Sequence, residues 1–424
     1  MTSYQHIINN GTVAEPLPLS LLDKMIDKLL IKVTMTYDHV LEPKMLMAGL
    51  EKLLSHYPHI GGSLVDFYNA DSRIIADDKG ILFSGQSLNV AMDQQLKKPL
   101  DSDHQVQMPA YHGEYVDGDH FIKVTCSEYV DGTRLEMTLP HFLCDGFALT
   151  GLLIDWANLA KGGQIQPLNV DKSKILKTEN SIIKHYYDSL TVQPMPRTNQ
   201  DSHLFYISES LIDDLMAEQI DVPPAQLASL RNKIWMAYVW QTITASRAPE
   251  DKGMASIISQ FNMRGGLGLG HRYFGNAITM LFVEQSVDQV LDQSLSVATE
   301  SLGDMFNQLM RARKKFLQKT FTDLEQGNMP EILPVIMSGA MLVNDMTEFP
   351  LYDIDFGHGR PSWVELPMSD YLMRQVKALP APDQSKGVVL NVSLPEVEMA
   401  RFIELFGAKP IKSMPAPVAQ ETTT

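Results

Sequence analysis

Residues 122–146 decide the fold: Ile122-Lys123-Val124-Thr125-Cys126-Ser127, then Asp131-Gly132, then Arg134-Leu135-Glu136-Met137-Thr138-Leu139-Pro140, then His141-Phe142-Leu143-Cys144-Asp145-Gly146. Apolar and polar residues alternate on both sides of Asp-Gly, which is the period of a half-buried strand and the signature of a β-hairpin. Pro140 cannot donate to a ladder and should end the second strand. An apolar run over residues 147–159 with helical spacing follows at once. Residues 141–146 therefore sit where a strand stops and a helix starts, a place where side chains reach the rim of a sheet and function collects.

Working outward, the same alternation of strand and helix signals recurs. Ser20 followed by Leu21, Leu22, Met25, Ile26, Leu29 and Leu30 reads as an N-capped helix. A second helix begins at Glu42-Pro43, where the missing N–H of proline costs nothing, and Pro58 stops it. His59 to Leu64 reads as a turn into a strand. Residues 161–200, with Gly162-Gly163, Pro167 and Pro194-Met195-Pro196, read as a connection that could hold a short helix around 182–190. Long helices are expected over 225–246 and 298–324. The second carries Arg311, Arg313, Lys314, Lys315 and Lys319, read as a solvated face in preference to a contact with an anionic ligand. The tail from Pro410 is expected to be disordered. This pattern predicts an α/β protein of mixed sheets with flanking helices, in two domains at 1–170 and 201–424 joined by a linker at 171–200.

Composition narrows the function. The 424 residues hold 35 Lys+Arg against 51 Asp+Glu, a formal net charge of −16. Bulk charge of that sign will not hold nucleic acid or an anionic membrane. Only Cys126 and Cys144 occur, too few for a disulfide scaffold or a cysteine-based zinc site, and the count fits a reducing compartment. No stretch reaches the roughly 20 apolar residues of a spanning helix, and Met1 to Asn10 has no apolar signal core. The expectation is a cytoplasmic monomer with no metal and no bound cofactor. The 24 methionines read as adaptable core filling in preference to the lining of a malleable ligand tunnel.

His141, with Asp145 four residues on and Gly146 next, is the sharpest chemical feature. Histidine is the side chain that can act as a general base near pH 7, and a nearby carboxylate can orient the ring or hold its loop. Gly146 permits close backbone approach or dihedrals closed to other residues. A second feature is Phe349-Pro350-Leu351-Tyr352-Asp353-Ile354-Asp355-Phe356-Gly357-His358-Gly359-Arg360-Pro361, a tight irregular loop read as a turn closing one domain onto the other in preference to a ligand or second-base role for His358. A third, Asn262-Met263-Arg264-Gly265-Gly266 followed by Tyr273-Phe274-Gly275-Asn276, is glycine-rich but lacks the Walker spacing and its Lys-Ser/Thr, so it is not a nucleotide loop.

Taken together, these motifs resemble the BAHD-type acyltransferases, CoA-dependent O- and N-acyltransferases of specialised metabolism. That group belongs to the superfamily of condensation domains and chloramphenicol acetyltransferase. The resemblance runs nearly end to end. It is carried by Leu19-Ser20-Leu21-Leu22-Asp23, Tyr57-Pro58-His59-Ile60-Gly61-Gly62, the His141–Asp145–Gly146 motif, Tyr273-Phe274-Gly275-Asn276, Asp355-Phe356-Gly357-His358-Gly359 with Pro361 and Trp363, Gly387-Val388-Val389 and Met399-Ala400-Arg401-Phe402. Three departures stand out. His358 replaces the usual Trp, Asn344-Asp345-Met346 stands where the family often has Thr-Ser-Trp, and the second Arg of the motif at 262–266 is absent.

The resemblance implies two similar chloramphenicol acetyltransferase-like domains with a tunnel between them, and a segment near 360–380 that crosses back to the first domain. It implies His141 as general base in direct acyl transfer from acyl-CoA to a small-molecule alcohol or amine. Asp145 would pair with Arg264 and hold the loop, and Gly146, Asp355, Gly357 and Gly359 would be structural. Asn344, Asn276 and His358 are candidates for substrate contact. Two rivals remain. One is a carrier-protein-dependent condensation enzyme, against which Pro140 speaks because condensation domains usually carry a second His there. The other is a CoA-binding pseudoenzyme of the same fold.

Overall fold

The computed structural model describes residues 2–24, 28–68, 71–97, 113–172, 175, 199–217, 224–325, 335, 338–368, 374–383 and 385–407. The hairpin forms as β7 (Lys123–Tyr129) and β8 (Gly132–Pro140), closed by Tyr129 opposite Gly132. Asp131 in the turn accepts from the Met92 amide at 2.7 Å and the Lys97 ammonium at 2.7 Å. Gly132 is required by space, since a Cβ there would lie 2.5 Å from the Tyr37 carbonyl oxygen.

Around this hairpin lies a six-stranded mixed sheet in the order β1 (Thr2–Ile8), β6 (Ile81–Ser87), β7, β8, β3 (Leu30–Tyr37), β13 (Trp363–Glu365). A second six-stranded sheet runs β11 (Ile278–Val283), β10 (Ile257–Asn262), β12 (Met341–Asp345), β14 (Arg374–Pro380), β15 (Val388–Pro395), β9 (Gln200–Ile207). The chain leaves the second sheet after β12, pairs Trp363 with Thr36 on β3 of the first sheet, and returns as β14. A small third sheet joins β2 (Ala14–Pro18), β5 (Arg73–Ala76) and β4 (Ser63–Val65). The fold is the mixed α/β architecture expected.

Helices Pro43–His56 and Gly146–Ala160 cover the first sheet. They approach so closely at Gly49 that an added Cβ would stand 2.8 Å from that of Ala160. Trp156 is fully buried there and donates its indole N–H to the Leu46 carbonyl at 3.0 Å. Helices Pro224–Ser246, Leu295–Glu325 and Glu396–Gly407 belong to the second sheet. Val376, Ala378, Leu390 and Val392 alternate into the core under those helices, whereas Leu379, Val389, Leu204 and Tyr206 face the first core. The second sheet therefore has one face on its own helices and the other on its neighbour.

One expected element is corrected. The helix read from Ser20 to Leu30 does not reach its expected end: Leu21–Lys24 is helical, with hydrogen bonds between Ser20 and Asp23 at its start, but Leu30 already begins β3. Pairing of β3 with both β8 and β13 outweighs the local helical spacing. Met25 and Ile26, the helix considered at 182–190 and the tail from Pro410 lie outside the described residues. Among those described, no helix is long and apolar enough to cross a membrane. Cys126 and Cys144 are buried free thiols.

Candidate active site

Strand β8 stops at Pro140, paired with Leu30. The next residue is held by its backbone at both ends. The His141 amide donates to the Leu29 carbonyl at 2.7 Å, and the His141 carbonyl accepts from Asn276 Nδ2 at 2.8 Å. Asn276 is fully buried and also donates its backbone N–H (3.1 Å) and Nδ2 (3.0 Å) to Asp23 Oδ1. The other oxygen of Asp23 takes the Lys172 ammonium at 2.7 Å and the hydroxyl of Ser20 at 2.6 Å. A chain of polar contacts thus runs from Lys172 through Asp23 and Asn276 to the backbone of His141.

Asp145 is committed elsewhere. As N-cap of helix Gly146–Ala160 it accepts from the Ala148 amide at 3.0 Å, satisfying one of the free N–H groups at the helix start. It also takes both terminal nitrogens of Arg264 (2.8 and 2.9 Å) and the Ala277 amide (2.9 Å). Arg264 completes its set on the carbonyls of Tyr273 and Gly275, and the Phe147 ring lies 4.9 Å from its guanidinium carbon. Both partners are buried and every strong donor is used, so this pair ties the loop of one sheet to a loop of the other. It leaves no carboxylate oxygen for the imidazole.

The His141 ring is enclosed but partly accessible, and its Nδ1 is buried without a partner. Burial lowers its pKa below the usual histidine value. Its own carbonyl, Asp145 and Asn276 pull the other way, and the ammonium of Lys377 adds to the lowering. The net effect is a neutral imidazole at pH 7. Gly146 has an ordinary φ, and what demands glycine is space, since a Cβ would come within 3.1 Å of Met346 Cε and 3.4 Å of Phe349. Met346 and Phe349, just after β12, thus close over the start of the helix.

The remaining candidates fall in two places. Asn344 lies on β12, partly exposed, in register with Lys377 on β14. The loop at 355–359 is at the far end of helix Gly146–Ala160, about 22 Å from Asp145 by the helical rise. There Asp355 accepts the amides of Gly357 (2.7 Å) and Gly359 (2.9 Å), whose φ values of 106° and 113° only glycine adopts readily. His358 is exposed and lies against His39, with ring centroids 5.7 Å apart. A cavity of about 220 Å³ formed by Leu17, Ser20, Lys172 and Ile175, among others, lies beside the Asp23–Lys172 pair rather than on His141. No cluster of His, Cys, Asp and Glu among the described residues could hold a metal ion.

Lys377 and its neighbour Asn391 were not among the residues singled out from sequence. The available signal was a polar residue inside an otherwise apolar strand, Val376-Lys377-Ala378 and Leu390-Asn391-Val392. Asp23 was visible only as part of a motif, without its link to Asn276.

Comparison with known proteins supplies the wider context. The description "Transferase family" matches residues 6–408. Putrescine hydroxycinnamoyltransferase 3 of Oryza sativa subsp. japonica is 20% identical over 84% of this chain and 86% of its own. Rosmarinate synthase of Plectranthus scutellarioides is 22% identical over 65% of this chain and 66% of its own. Among solved structures, vinorine synthase superposes with a TM-score of 0.71 at 18% identity, covering 97% of this chain and 98% of that one. TRI101 of F. sporotrichioides, solved with coenzyme A and T-2, superposes at 0.70 with 12% identity, covering 92% and 97%. A family match spanning nearly the whole sequence, on this fold and around this His–Asp–Gly junction, makes the chain a member of the Transferase family of BAHD-type acyltransferases.

Proposed function

We propose that this acyltransferase moves an acyl group from a CoA thioester directly to a hydroxyl or amine of a small molecule, with His141 as general base. The observation that carries this is the partly accessible imidazole of His141 at the strand–helix junction, anchored through its backbone at both ends, with Asp145 fully engaged by Arg264. The acceptor O–H or N–H gives its proton to His141 as its heavy atom attacks the thioester carbonyl. The tetrahedral oxyanion collapses, the C–S bond breaks, and the departing thiolate takes the proton from the imidazolium. No acyl-enzyme forms.

Asn276 and Asp23 position the His141 backbone rather than touch substrate. Arg264 and Asp145 hold the loop, and the turn at Asp355, Gly357 and Gly359 keeps the far end of the helix. His358, exposed at that end, lies away from the reacting atoms. Asn344 lines the site. Substrates would reach His141 through a tunnel between residues 1–170 and 201–424. The CoA complex of a structural neighbour supports the choice of donor.

The test is a mass-spectrometric screen of the purified protein with acetyl-, malonyl- and aromatic acyl-CoAs against mixed alcohols and amines. Product that disappears in His141→Ala is expected. Transfer only from an acyl group on a carrier protein would move the chain to the condensation reading. Thermal stabilisation by CoA with no turnover from any donor would make it a pseudoenzyme.

A further inference from the structure

The face of the second sheet that meets the first core is not uniformly apolar. Asn344 on β12, Lys377 on β14 and Asn391 on β15 are in register across three adjacent strands, so their side chains stand in one row. The residues two along on the same face, Leu379 and Val389, and the partners Leu204 and Tyr206 on β9, are packed into the first core. The polar row is therefore set into the wall between the sheets, on the side where His141 lies. Lys377 is near enough for its charge to depress the imidazole.

Lys377 donates to the carbonyls of Leu366 (3.1 Å) and Pro367 (2.9 Å), the segment leaving the crossover strand β13. An ammonium has three N–H bonds, so one is left over. No carboxylate pairs with Lys377 among the described residues. Burial alone pulls its pKa down to about 8, with no opposing anion. Asp345, the next residue after Asn344, is directed away and held by Thr347 and Asn232. Asn391 is 1% exposed and its Oδ1 has no partner. Lys377 is partly accessible, so a ligand can reach it, and a buried amide oxygen without a partner is costly unless something completes it.

We infer that Lys377, flanked by Asn344 and Asn391, is the recognition point for a carboxylate on one of the two substrates, with Asn391 Oδ1 accepting from a hydroxyl or N–H beside it. This rests on the acyl-transfer reading and narrows it: the carboxylate belongs either to the acyl chain or to the acceptor. A cationic polyamine is the acceptor class this wall would repel.

Calorimetric binding to the intact protein tests the inference without needing turnover. One arm compares malonyl-CoA with acetoacetyl-CoA, which replaces the carboxylate by a neutral methyl ketone. The other compares lactate, 3-hydroxybutyrate and 3-hydroxybenzoate with their methyl esters in the presence of CoA. In one arm the carboxylate should bind on the order of tenfold or more tighter, as a charge-assisted contact in an enclosed site does. The arm that discriminates identifies the source. Lys377→Met should erase the preference while CoA still binds. Asn391→Asp, which supplies an internal counter-ion and leaves the lysine clip intact, should do the same, and it decides the matter if Lys377→Met does not fold. Absence of discrimination in both arms, or discrimination that survives these variants, overturns the inference. Selective binding without turnover would instead defeat the acyl-transfer reading and leave this one standing.

Discussion

Helix Gly146–Ala160 has an aspartate-centred clamp at each end, and the two clamps are built differently. At the N-terminus Asp145 is 1% exposed and closes on Arg264 and two backbone amides. Near the C-terminus Asp355 has its side chain 39% exposed, accepts two glycine amides and lies 3.8 Å from Lys161. The chemistry of the carboxylate is the same, and burial sets its consequence. A buried charge that loses its partner strands the other charge in a medium that cannot solvate it. An exposed one hands its partners back to water.

The largest effect expected near this helix is on rate rather than on fold. His141→Ala should lower acyl transfer by roughly 10²- to 10⁴-fold, the usual contribution of a general base, with an unchanged melting curve. Loss of activity only in step with loss of folded protein would show that the ring is structural.

Next comes Asp145→Ala, which leaves Arg264 buried and unpaired. A loss of about 3–5 kcal/mol is expected, read as reduced folded yield and an earlier denaturant midpoint. Asp355→Ala should cost only about 1 kcal/mol, since its hydrogen bonds are partly wet. Equal losses at the two ends in urea unfolding would break the comparison. The Asp355 contribution also has a pH signature. Burial raises its pKa, but the amides of Gly357 and Gly359 and the charge of Lys161 prevail and lower it. Its stabilisation is thus present above the unfolded value and fades as pH falls below about 4.

Gly146→Ala should be milder for stability than Asp145→Ala, because Met346 Cε is the far end of a flexible chain and can give by a few tenths of an ångström. Its effect should appear in KM or kcat, through displacement of Met346 and Phe349 over the site. The smallest effect is a shift of a pH limb. With the His141 pKa lowered by burial, the acid limb of kcat/KM should fall only below the ordinary histidine value near 6.5. Neutralising Lys377 should move that limb upward, because one cation no longer opposes protonation. A limb unmoved by Lys377→Met would place the ammonium out of range.

Much of this arrangement was legible in the order of residues. The hairpin, the stop at Pro140, the helix after Gly146 and the pairing of Asp145 with Arg264 followed from alternation, proline chemistry and motif resemblance. The helical spacing from Ser20 holds at Leu21–Lys24 but carries too far at Leu30, because apolar spacing fits the start of a strand as well, and only partners on both sides of β3 choose. Asn276 was noticed as a motif residue, but its attachment to the carbonyl of His141, 135 positions away, has no local trace.

Local chemistry, then, was enough to specify which residues form strands and helices and that a histidine stands at a strand–helix junction, since alternation, capping and proline act over a few positions. Tertiary structure alone decided that Asp145 faces Arg264 instead of the imidazole, and that Lys377, Asn344 and Asn391 share one wall. Those facts depend on strand register between segments distant in the chain, and on how much water the packed sheets leave around each charge.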